Sequence, residues 1–253
     1  MVDVLLVGEP SPERLRSLGI RVGTRAGRVW SARAPLAAVP ALTRVAGVER
    51  VCLARSLTPS LDLSVPAVNA EGLRIREGET WSGRTGRGVV VGVLDTGLDL
   101  EHEDFLRPDG STRVLYYWDQ GDPLGPPPLR APGDTLYSFG SEWDREEIEA
   151  GRARGEDTDG HGSHVTGIAA GGGRAARVDS LRYRFVGLAP EADLIVVVAV
   201  LFLVTGVLDG VNYIFERAQS LGKPAVVNLS LGSQFGPHDG TTPLELGIDN
   251  LVC

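Results

Sequence analysis

The sequence predicts an α/β protein with two parts, a small α+β domain over residues 1–58 and a larger domain over residues 88–253, joined by a linker over residues 59–87. Two observations support this division. Strand and helix signals in the first part follow the order β-α-β-β-α-β, which is the split arrangement of ferredoxin-like domains. In the second part, continuous apolar runs alternate with helical patterns, as expected for a parallel sheet whose strands are buried on both faces.

The elements of the first domain are predicted from turn and cap signals. Ser11 can cap a helix that has Pro12 at its first position, and a turn at Ala26-Gly27 separates two strands. The predicted strands are 2–7, 21–24, 28–33 and 48–54, and the predicted helices are 12–18 and 36–45. Several functions use this arrangement, so alone it predicts none of them.

The larger domain is predicted from three apolar strands and the helices between them. The strands are 89–95, 192–200 and 225–232, and the helices are 161–171, 207–218 and 243–251. We expect Asp159 to cap the first of these helices, because aspartate is a favoured residue at that position.

The segment from about residue 120 to residue 156 is predicted to be an insertion on the sheet. It follows a strand at 112–118, and the five prolines between residues 122 and 134 indicate a surface loop. Ser141-Glu-Trp-Asp144 is typical of a capping box, which predicts a charged helix over 145–154.

Asp95 and His161 occupy positions that favour catalysis. Asp95 ends the apolar strand 89–95, and the carboxyl end of such a strand lies at the ligand-binding edge of an α/β sheet. His161 begins a helix in which Gly162 and Gly167 each cost ~1 kcal/mol relative to alanine, and a helix of such small residues can approach a sheet closely. A histidine that acts as a general base needs a carboxylate and a nucleophile within hydrogen-bond reach, so we predict that His161 contacts Asp95.

The motifs around these two residues resemble those of the subtilisin-like serine proteases, the subtilases. Gly160-His-Gly-Ser-His-Val-Thr-Gly167 is similar to the histidine motif of the family, and Asp95-Thr-Gly97 with His102-Glu-Asp-Phe105 is similar to its aspartate motif. The run 113–120 resembles, more loosely, subtilases that spore-forming bacteria use in germination. The family resemblance implies a subtilisin-like parallel sheet with helices on both faces, which is incomplete in this chain, and a hydrolase that cleaves peptide bonds with an Asp-His-Ser triad.

The resemblance also implies catalytic roles. His161 would take the proton of a serine, and Asp95 would hold the imidazole in the correct tautomer. The serine motif Gly-Thr-Ser-x-Ala and the Ala-Gly-Asn segment of the oxyanion site are absent from the sequence, and Gly240-Thr-Thr-Pro243 has threonine where serine should be. We therefore expect the chain as given to be inactive. The alternative is a pseudoprotease or peptide-binding regulator that natively lacks the serine.

The partners implied by the resemblance are a peptide or protein substrate and a segment of the chain itself. Domain 1–58 resembles the N-terminal prodomain of the family, which assists folding and blocks the cleft, although a structural or regulatory domain without an inhibitory role is the alternative. An extended substrate would pair with the strand 225–232 by strand addition. The implied substrate-binding residues are Ser230, Leu231, Gly232 and Gly206.

Aspartic proteases are a competing interpretation of Asp95-Thr-Gly97. They need two copies of the motif, because one proton is shared between two carboxylates. The chain has a single copy, and the alternation of helices with strands that follows it is unlike an all-β aspartic protease.

Zinc-dependent hydrolysis is a second competing interpretation. His161 and His164 are spaced i and i+3 on one helix, with Asp159 nearby and His102 or His238 as outside ligands. The zincin motif, however, requires glutamate where the residue after His161 is glycine. We interpret His164 as a packed structural histidine.

No cofactor is predicted, although calcium is an open alternative. Many subtilases bind calcium with an aspartate at the position of Asp104, but the connection 174–184 lacks the ligand run Asn-x-Ile-x-Val. We expect Asp104 to cap or pair locally.

Composition indicates a globular protein and argues against two kinds of partner. The formal net charge is −8, which disfavours nucleic acid and anionic membranes. Cys52 and Cys253 form no disulfide framework, and the apolar run 194–204 is shorter than the ~20 residues of a membrane span. No signal peptide is visible at the start, so we expect a cytoplasmic location by default, although subtilases are often secreted.

Overall fold

The N-terminal part of the chain is a four-stranded antiparallel sheet with two short helices, in a computed structural model that describes residues 1–54, 58–59, 71–128, 137–175 and 182–252. The sheet order is β2-β3-β1-β4. The strands are β1 Val2–Gly8, β2 Arg21–Ala26, β3 Val29–Ala34 and β4 Val48–Leu53, and the helices are α1 Pro12–Ser17 and α2 Val39–Leu42. Ser11 caps α1 as predicted, whereas the predicted helix 36–45 is a 3₁₀ turn at Leu36–Ala38 followed by the single turn of α2.

Two short antiparallel pairs follow. One pairs β6, Arg74–Glu77, with β7, Thr80–Gly83, inside the segment predicted to be a linker. The other brings β5, Thr58–Pro59, onto a distant strand, β13, Leu231–Gly232.

The larger part is built on a five-stranded sheet of order β10-β9-β11-β8-β12. β8, β9, β11 and β12 are mutually parallel, and β10 is an antiparallel edge strand on β9. The strands are β8 Val90–Asp95, β9 Val114–Asp119, β10 Ser141–Asp144, β11 Asp193–Val198 and β12 Ala225–Asn228. The helices are α3 Arg145–Glu149, α4 His161–Ala170, α5 Val204–Ser220 and α6 Pro243–Val252.

Helices cover both faces of this sheet, as the sequence predicts. Side chains alternate along β8, so Val93 packs in one cluster with Val165 of α4, and Leu94 packs in another with Val211 of α5. All six residues of β8 are buried, which explains why its sequence is a continuous apolar run. The expected α/β architecture is confirmed. None of the described helices has the length and apolar character that a membrane span requires.

The N-terminal sheet packs on the larger part through α5 and α6. Leu5 and Val7 of β1 share a cluster with Leu208 of α5, while Val4 and Leu6 on the opposite face pack with the helices of the N-terminal part. Both faces of β1 are covered by helices, which explains why its sequence is apolar on both faces.

One charged side chain lies inside this contact. Asp209 of α5 is 5% exposed, and its Oδ1 accepts the Thr24 N–H at 3.0 Å and the hydroxyl of Ser31. Burial raises the pKa of the Asp209 carboxyl, although the hydrogen bonds from Ser31 and Thr24 oppose that rise.

Three predictions about the larger part need correction. The predicted strand 225–232 is interrupted, because β12 ends at Asn228 and the chain then leaves β8 to form β13. Ser141–Asp144 is a strand rather than the start of a helix. The capping box instead joins Asp144 and Glu147, and α3 ends at Glu149 rather than at residue 154.

Several predictions fall partly or wholly outside the described residues. These are the end of domain 1–58 (55–57), the first part of the linker (60–70), the end of the proline-rich loop (129–134), the middle of the connection 174–184 (176–181) and Cys253.

The buried Arg113, just before β9, joins three segments around the sheet edge. Its guanidinium donates to the carbonyls of Asp104 at 2.6 Å, Pro190 at 2.7 Å and Ala192 at 3.2 Å, and also to the carbonyl of Ala170. Burial lowers the pKa of Arg113 to about 10. The side chain therefore connects three segments: the last turn of α4, the segment just before β11, and the loop after β8.

Candidate active site

Asp95 and His161 are in direct contact. Asp95 is the last residue of β8 and is 0% exposed, and His161 is the first residue of α4. Nδ1 of His161 lies 2.7 Å from Oδ1 of Asp95. The structure thus brings together the two side chains that the sequence predicts to meet, at the carboxyl end of a central parallel strand.

The other ring nitrogen of His161 has no such partner. Nε2 of His161 and Oδ2 of Asp95 are both buried, and neither has a hydrogen-bond partner in the part of the chain that the structure describes. An ionised carboxylate can only accept a hydrogen bond. The contact with Oδ1 of Asp95 therefore favours the His161 tautomer that carries the ring proton on Nδ1. Nε2 is then a basic nitrogen with a free lone pair, as a general base requires.

The loop after β8 is hydrogen-bonded to the start of α4. The Thr96 N–H donates to Oδ1 of Asp95 at 2.7 Å, and the Gly162 N–H donates to Oγ1 of Thr96 at 2.8 Å. A Cβ atom at Gly162 would lie 2.1 Å from the carbonyl oxygen of Gly97. The helix therefore approaches the loop so closely that only glycine fits, which is the close approach expected of its small residues.

The prediction that Asp159 caps α4 is wrong. The N-cap residue is Gly160, whose φ of +83° is left-handed and which has no side chain to accept a hydrogen bond. The carboxylate of Asp157 takes this role, accepting the N–H groups of Ser163 at 2.7 Å and Gly160 at 3.0 Å. Although burial raises the pKa of the Asp157 carboxyl, hydrogen bonds from Ser163, Thr96 and Gly160 hold it below its usual range.

His164 is exposed, so its interpretation as a packed histidine is also wrong. The buried residues of α4 are Gly162, Val165, Thr166 and Ala170, which leaves position 164 pointing outward. Within the described ranges, no group of three or more His, Cys, Asp or Glu side chains is arranged to hold a metal ion.

Asp104 serves a local structural role. Its Oδ1 accepts the backbone N–H of Ala175 at 2.9 Å and that of Arg174 at 2.5 Å, so the carboxylate caps the connection after α4.

Three of the four predicted substrate-binding residues lie together after β12. Ser230 is buried, and its Oγ accepts from Nδ2 of Asn228 at 2.8 Å. Leu231 and Gly232 form β13, where they pair antiparallel with Pro59 and Thr58, respectively. These two residues therefore already hold an extended segment, and that segment belongs to the same chain.

Gly206, the fourth, lies in the first turn of α5. Its carbonyl accepts from Nε2 of Gln120 at 2.8 Å, and it borders a cavity shared with Arg33 and Phe139 beside the N-terminal sheet. Its assignment to a substrate groove stays a prediction.

Sequence reasoning did not identify Thr96 and Asp157 as part of the site. Thr96 follows Asp95 directly, and a hydroxyl next to a candidate catalytic carboxylate is a usable signal. The sequence pattern favours Asp159 over Asp157 as the cap, because Asp159 is closer to the helix start. Only the left-handed turn at Gly160 makes the more distant carboxylate the one that reaches the helix.

Comparison with known proteins places these motifs in one family. The model of Peptidase_S8, the subtilase family, matches residues 86–249. The chain is 29% identical over 196 residues to the subtilisin-like protease PopC of Myxococcus xanthus, covering 74% of this chain and 31% of PopC. It is 29% identical over 163 residues to an intracellular serine protease of Paenibacillus polymyxa, covering 63% of this chain and 36% of that protein.

Solved structures give the same result. The CspB protease of Clostridium perfringens has a TM-score of 0.51 at 28% identity, over 65% of this chain and 33% of CspB. Fervidolysin from Fervidobacterium pennivorans has a TM-score of 0.57 over 99% of this chain and 38% of its own, and at 14% identity it supports the fold alone. This chain thus spans about a third of each relative. Because the family model covers more than half of its residues, including Asp95 and His161, the chain belongs to the subtilase family.

Proposed function

We propose that this chain supplies the general base and the orienting carboxylate of a serine endopeptidase that hydrolyses peptide bonds. The observation that carries the proposal is the state of His161. Its Nδ1 is bound to Asp95, and its Nε2 is buried without a partner in the described ranges. A serine hydroxyl presented to Nε2 would complete an Asp-His-Ser triad.

Each member of the pair has a defined role in this reaction. Nε2 of His161 accepts the hydroxyl proton as the oxygen attacks the carbonyl carbon of the peptide, and then returns the proton to the leaving amine. Asp95 stabilises the imidazolium that forms in between. In triads of this kind, replacing the carboxylate by its amide lowers kcat by ~10⁴-fold.

The nucleophile comes from polypeptide outside these 253 residues, so the chain as given cleaves no peptide. The closest imitation of the serine motif, Gly240-Thr-Thr-Pro243, uses both of its hydroxyls locally. Thr241 donates to Asp239 at 2.7 Å, and Thr242 donates at 2.7 Å to Glu245 in the first turn of α6. Neither threonine is poised as a nucleophile.

The substrate is an extended peptide, which binds by adding a strand to β13. The pairing of Leu231 and Gly232 with Pro59 and Thr58 supports this mode, because it places a non-adjacent segment antiparallel to the predicted substrate strand. The N-terminal part acts as a prodomain that covers this groove until it is released. Its sheet packs on α5 and α6, and it leads directly into β5.

The same pairing favours a second candidate, a peptide-binding regulator without catalysis. β13 holds an extended segment independently of any nucleophile, so binding alone is a function that the described residues can perform.

Extending the reading frame separates these two functions. The longer product should contain an in-frame Gly-Thr-Ser-x-Ala and should react with a serine-directed fluorophosphonate, whereas the 253-residue chain should not. His161→Ala should slow labelling by about 10²–10⁴-fold, the usual value of a general base. The matched control is His164→Ala on the exposed face of the same helix, which should label at the parent rate. A folded longer product that has the motif and is not labelled, or an open reading frame without the motif, would reject the endopeptidase in favour of the regulator.

A further inference from the structure

We propose that Asp157 is a positioning residue for the Asp95–His161 pair, because it ties the first turn of α4 to the loop that follows β8. The catalytic meaning of this role rests on the function proposed above. The hydrogen bonds that define the role are independent of that function.

The carboxylate of Asp157 bridges the two segments that carry the pair. Oδ1 accepts the hydroxyl of Thr96 at 2.8 Å, from the loop side, and the N–H of Gly160 at 3.0 Å, from the helix side. Oδ2 accepts the N–H of Ser163 at 2.7 Å. Both oxygens are therefore engaged, and donors from both segments meet on one side chain.

Two of these three donors, Thr96 and Gly160, adjoin a member of the pair. Thr96 follows Asp95 in sequence, and its own N–H donates to Oδ1 of Asp95. Gly160 precedes His161, and the N–H of Gly162, which follows it, donates to Oγ1 of Thr96. The hydroxyl of Thr96 thus donates to Asp157 and accepts from the helix, so losing the carboxylate would free this hydroxyl to rotate away.

The packing between the segments makes small displacements matter. A Cβ at Gly97 would lie 3.1 Å from the Cα of Asp157, and a Cβ at Gly162 would lie 2.1 Å from the carbonyl oxygen of Gly97. The backbone of the loop after β8 and the backbone at the start of α4 are in contact, and the hydrogen bonds of Asp157 set their relative position. A misplacement of ~1 Å at a catalytic group can cost ~10²-fold in rate.

An ionised carboxylate is the group that this position requires. Among the described residues, the three groups that hydrogen-bond to the Asp157 carboxylate all donate to it. An asparagine keeps a single accepting oxygen, so it would lose either the N–H of Ser163, which lies within α4, or both donors on Thr96 and Gly160. Asp157→Asn is therefore a sharp test, even though it is isosteric.

Asp109 offers a matched control. Its exposed carboxylate also accepts a backbone N–H and a hydroxyl, both from Ser111, but in a turn that does not join the loop after β8 to α4. Asp109→Asn makes the same chemical change and should leave the Asp95–His161 pair intact.

The test is the low-field proton NMR signal of the His161 Nδ1–H in the 253-residue chain, labelled with ¹⁵N at histidine. The signal is assigned by its loss in Asp95→Asn. We expect Asp157→Asn to lose it and Asp109→Asn to keep it, at equal helix content by circular dichroism. If Asp157→Asn keeps the signal unchanged, the residue is only a local cap and the proposal is wrong.

A second pair of variants covers the case in which Asp157→Asn does not fold. Thr96→Val removes only the hydroxyl link, and Thr96→Ser restores it, so the signal should be lost in the first and kept in the second. Its retention in Thr96→Val would overturn the proposal. In the extended protein, Asp157→Asn should lower fluorophosphonate labelling by ~10²-fold. Absence of labelling in the parent extended protein would reject the proposed function, while the NMR result would still decide the role of Asp157.

Discussion

Replacing Gly162 with alanine should destabilise the protein, although alanine is the better helix former. Alanine favours the helix by ~1 kcal/mol. Its Cβ would lie 2.1 Å from the carbonyl oxygen of Gly97, more than an ångström inside the ~3.5 Å of a good van der Waals contact. Overpacking costs about 1–3 kcal/mol, and the obstacle here is backbone that cannot rotate away, so the upper value applies. We expect a net loss of about 2 kcal/mol in the free energy of unfolding.

Gly167 provides the control on the same helix. A Cβ at Gly167 meets nothing within 4 Å, so Gly167→Ala should gain about 1 kcal/mol from helix propensity alone. Urea unfolding of the parent and both variants, with equal slopes, measures the two free energies. The two substitutions should move the midpoint in opposite directions. A midpoint for Gly162→Ala at or above that of the parent would show that α4 does not lie against the loop after β8.

The remaining predictions concern buried charges and metal removal. Arg113→Met should lower the free energy of unfolding by about 3–5 kcal/mol in urea, because it removes the donor of four carbonyls, of which that of Asp104 keeps the N–H of Gly172. An increase in stability would contradict this. A chelator should leave the thermal midpoint unchanged, since Arg113 and Asp104 hold this junction with the chain's own groups; a lower midpoint would reveal a structural metal. Because burial raises the pKa of Asp209 in the folded state, its stability cost is absent below the unfolded pKa of ~3.9 and grows as pH rises from there through the folded value. Asp209→Asn, whose oxygen can still accept from Thr24 and Ser31, should therefore gain stability relative to the parent as pH rises through that window, and parallel pH curves would refute this.

The catalytic pair was accessible to sequence reasoning because each member ends a strong local pattern. Asp95 closes a run of apolar residues that only a buried strand explains, and His161 stands at the start of a helix of small residues. In a parallel sheet, both positions come to the same edge. Their contact follows from the order of elements, without any knowledge of the loops.

The connections between elements were harder, because they depend on backbone turns and on distant partners. The left-handed Gly160 moves the capping role from Asp159 to Asp157, and nothing in the composition of that loop distinguishes the two carboxylates. The outward position of His164 was missed because α4 has so few large residues that its buried face is hard to recognise.

Strand boundaries were missed where the chain changes partner. The residues from Ala225 to Gly232 read as one strand, but only the first four pair with β8, and the last two pair with β5. The ends of β5 and β13 are far apart in sequence, so no local pattern predicts their pairing. Ser141-Glu-Trp-Asp144 likewise has the pattern of a helix start, but the true capping box begins at its last residue, Asp144.

The pairing of β13 with β5 sets a threshold for any external ligand. A tethered segment competes at an effective concentration in the millimolar range when its linker is short and flexible. A free peptide that adds to Leu231 and Gly232 must displace Thr58 and Pro59 first, so its apparent dissociation constant rises in inverse proportion to the fraction of molecules in which β13 is free. Cutting the chain between β5 and β6 would break this tether, and the same peptide would bind at its intrinsic affinity once the N-terminal part has dissociated.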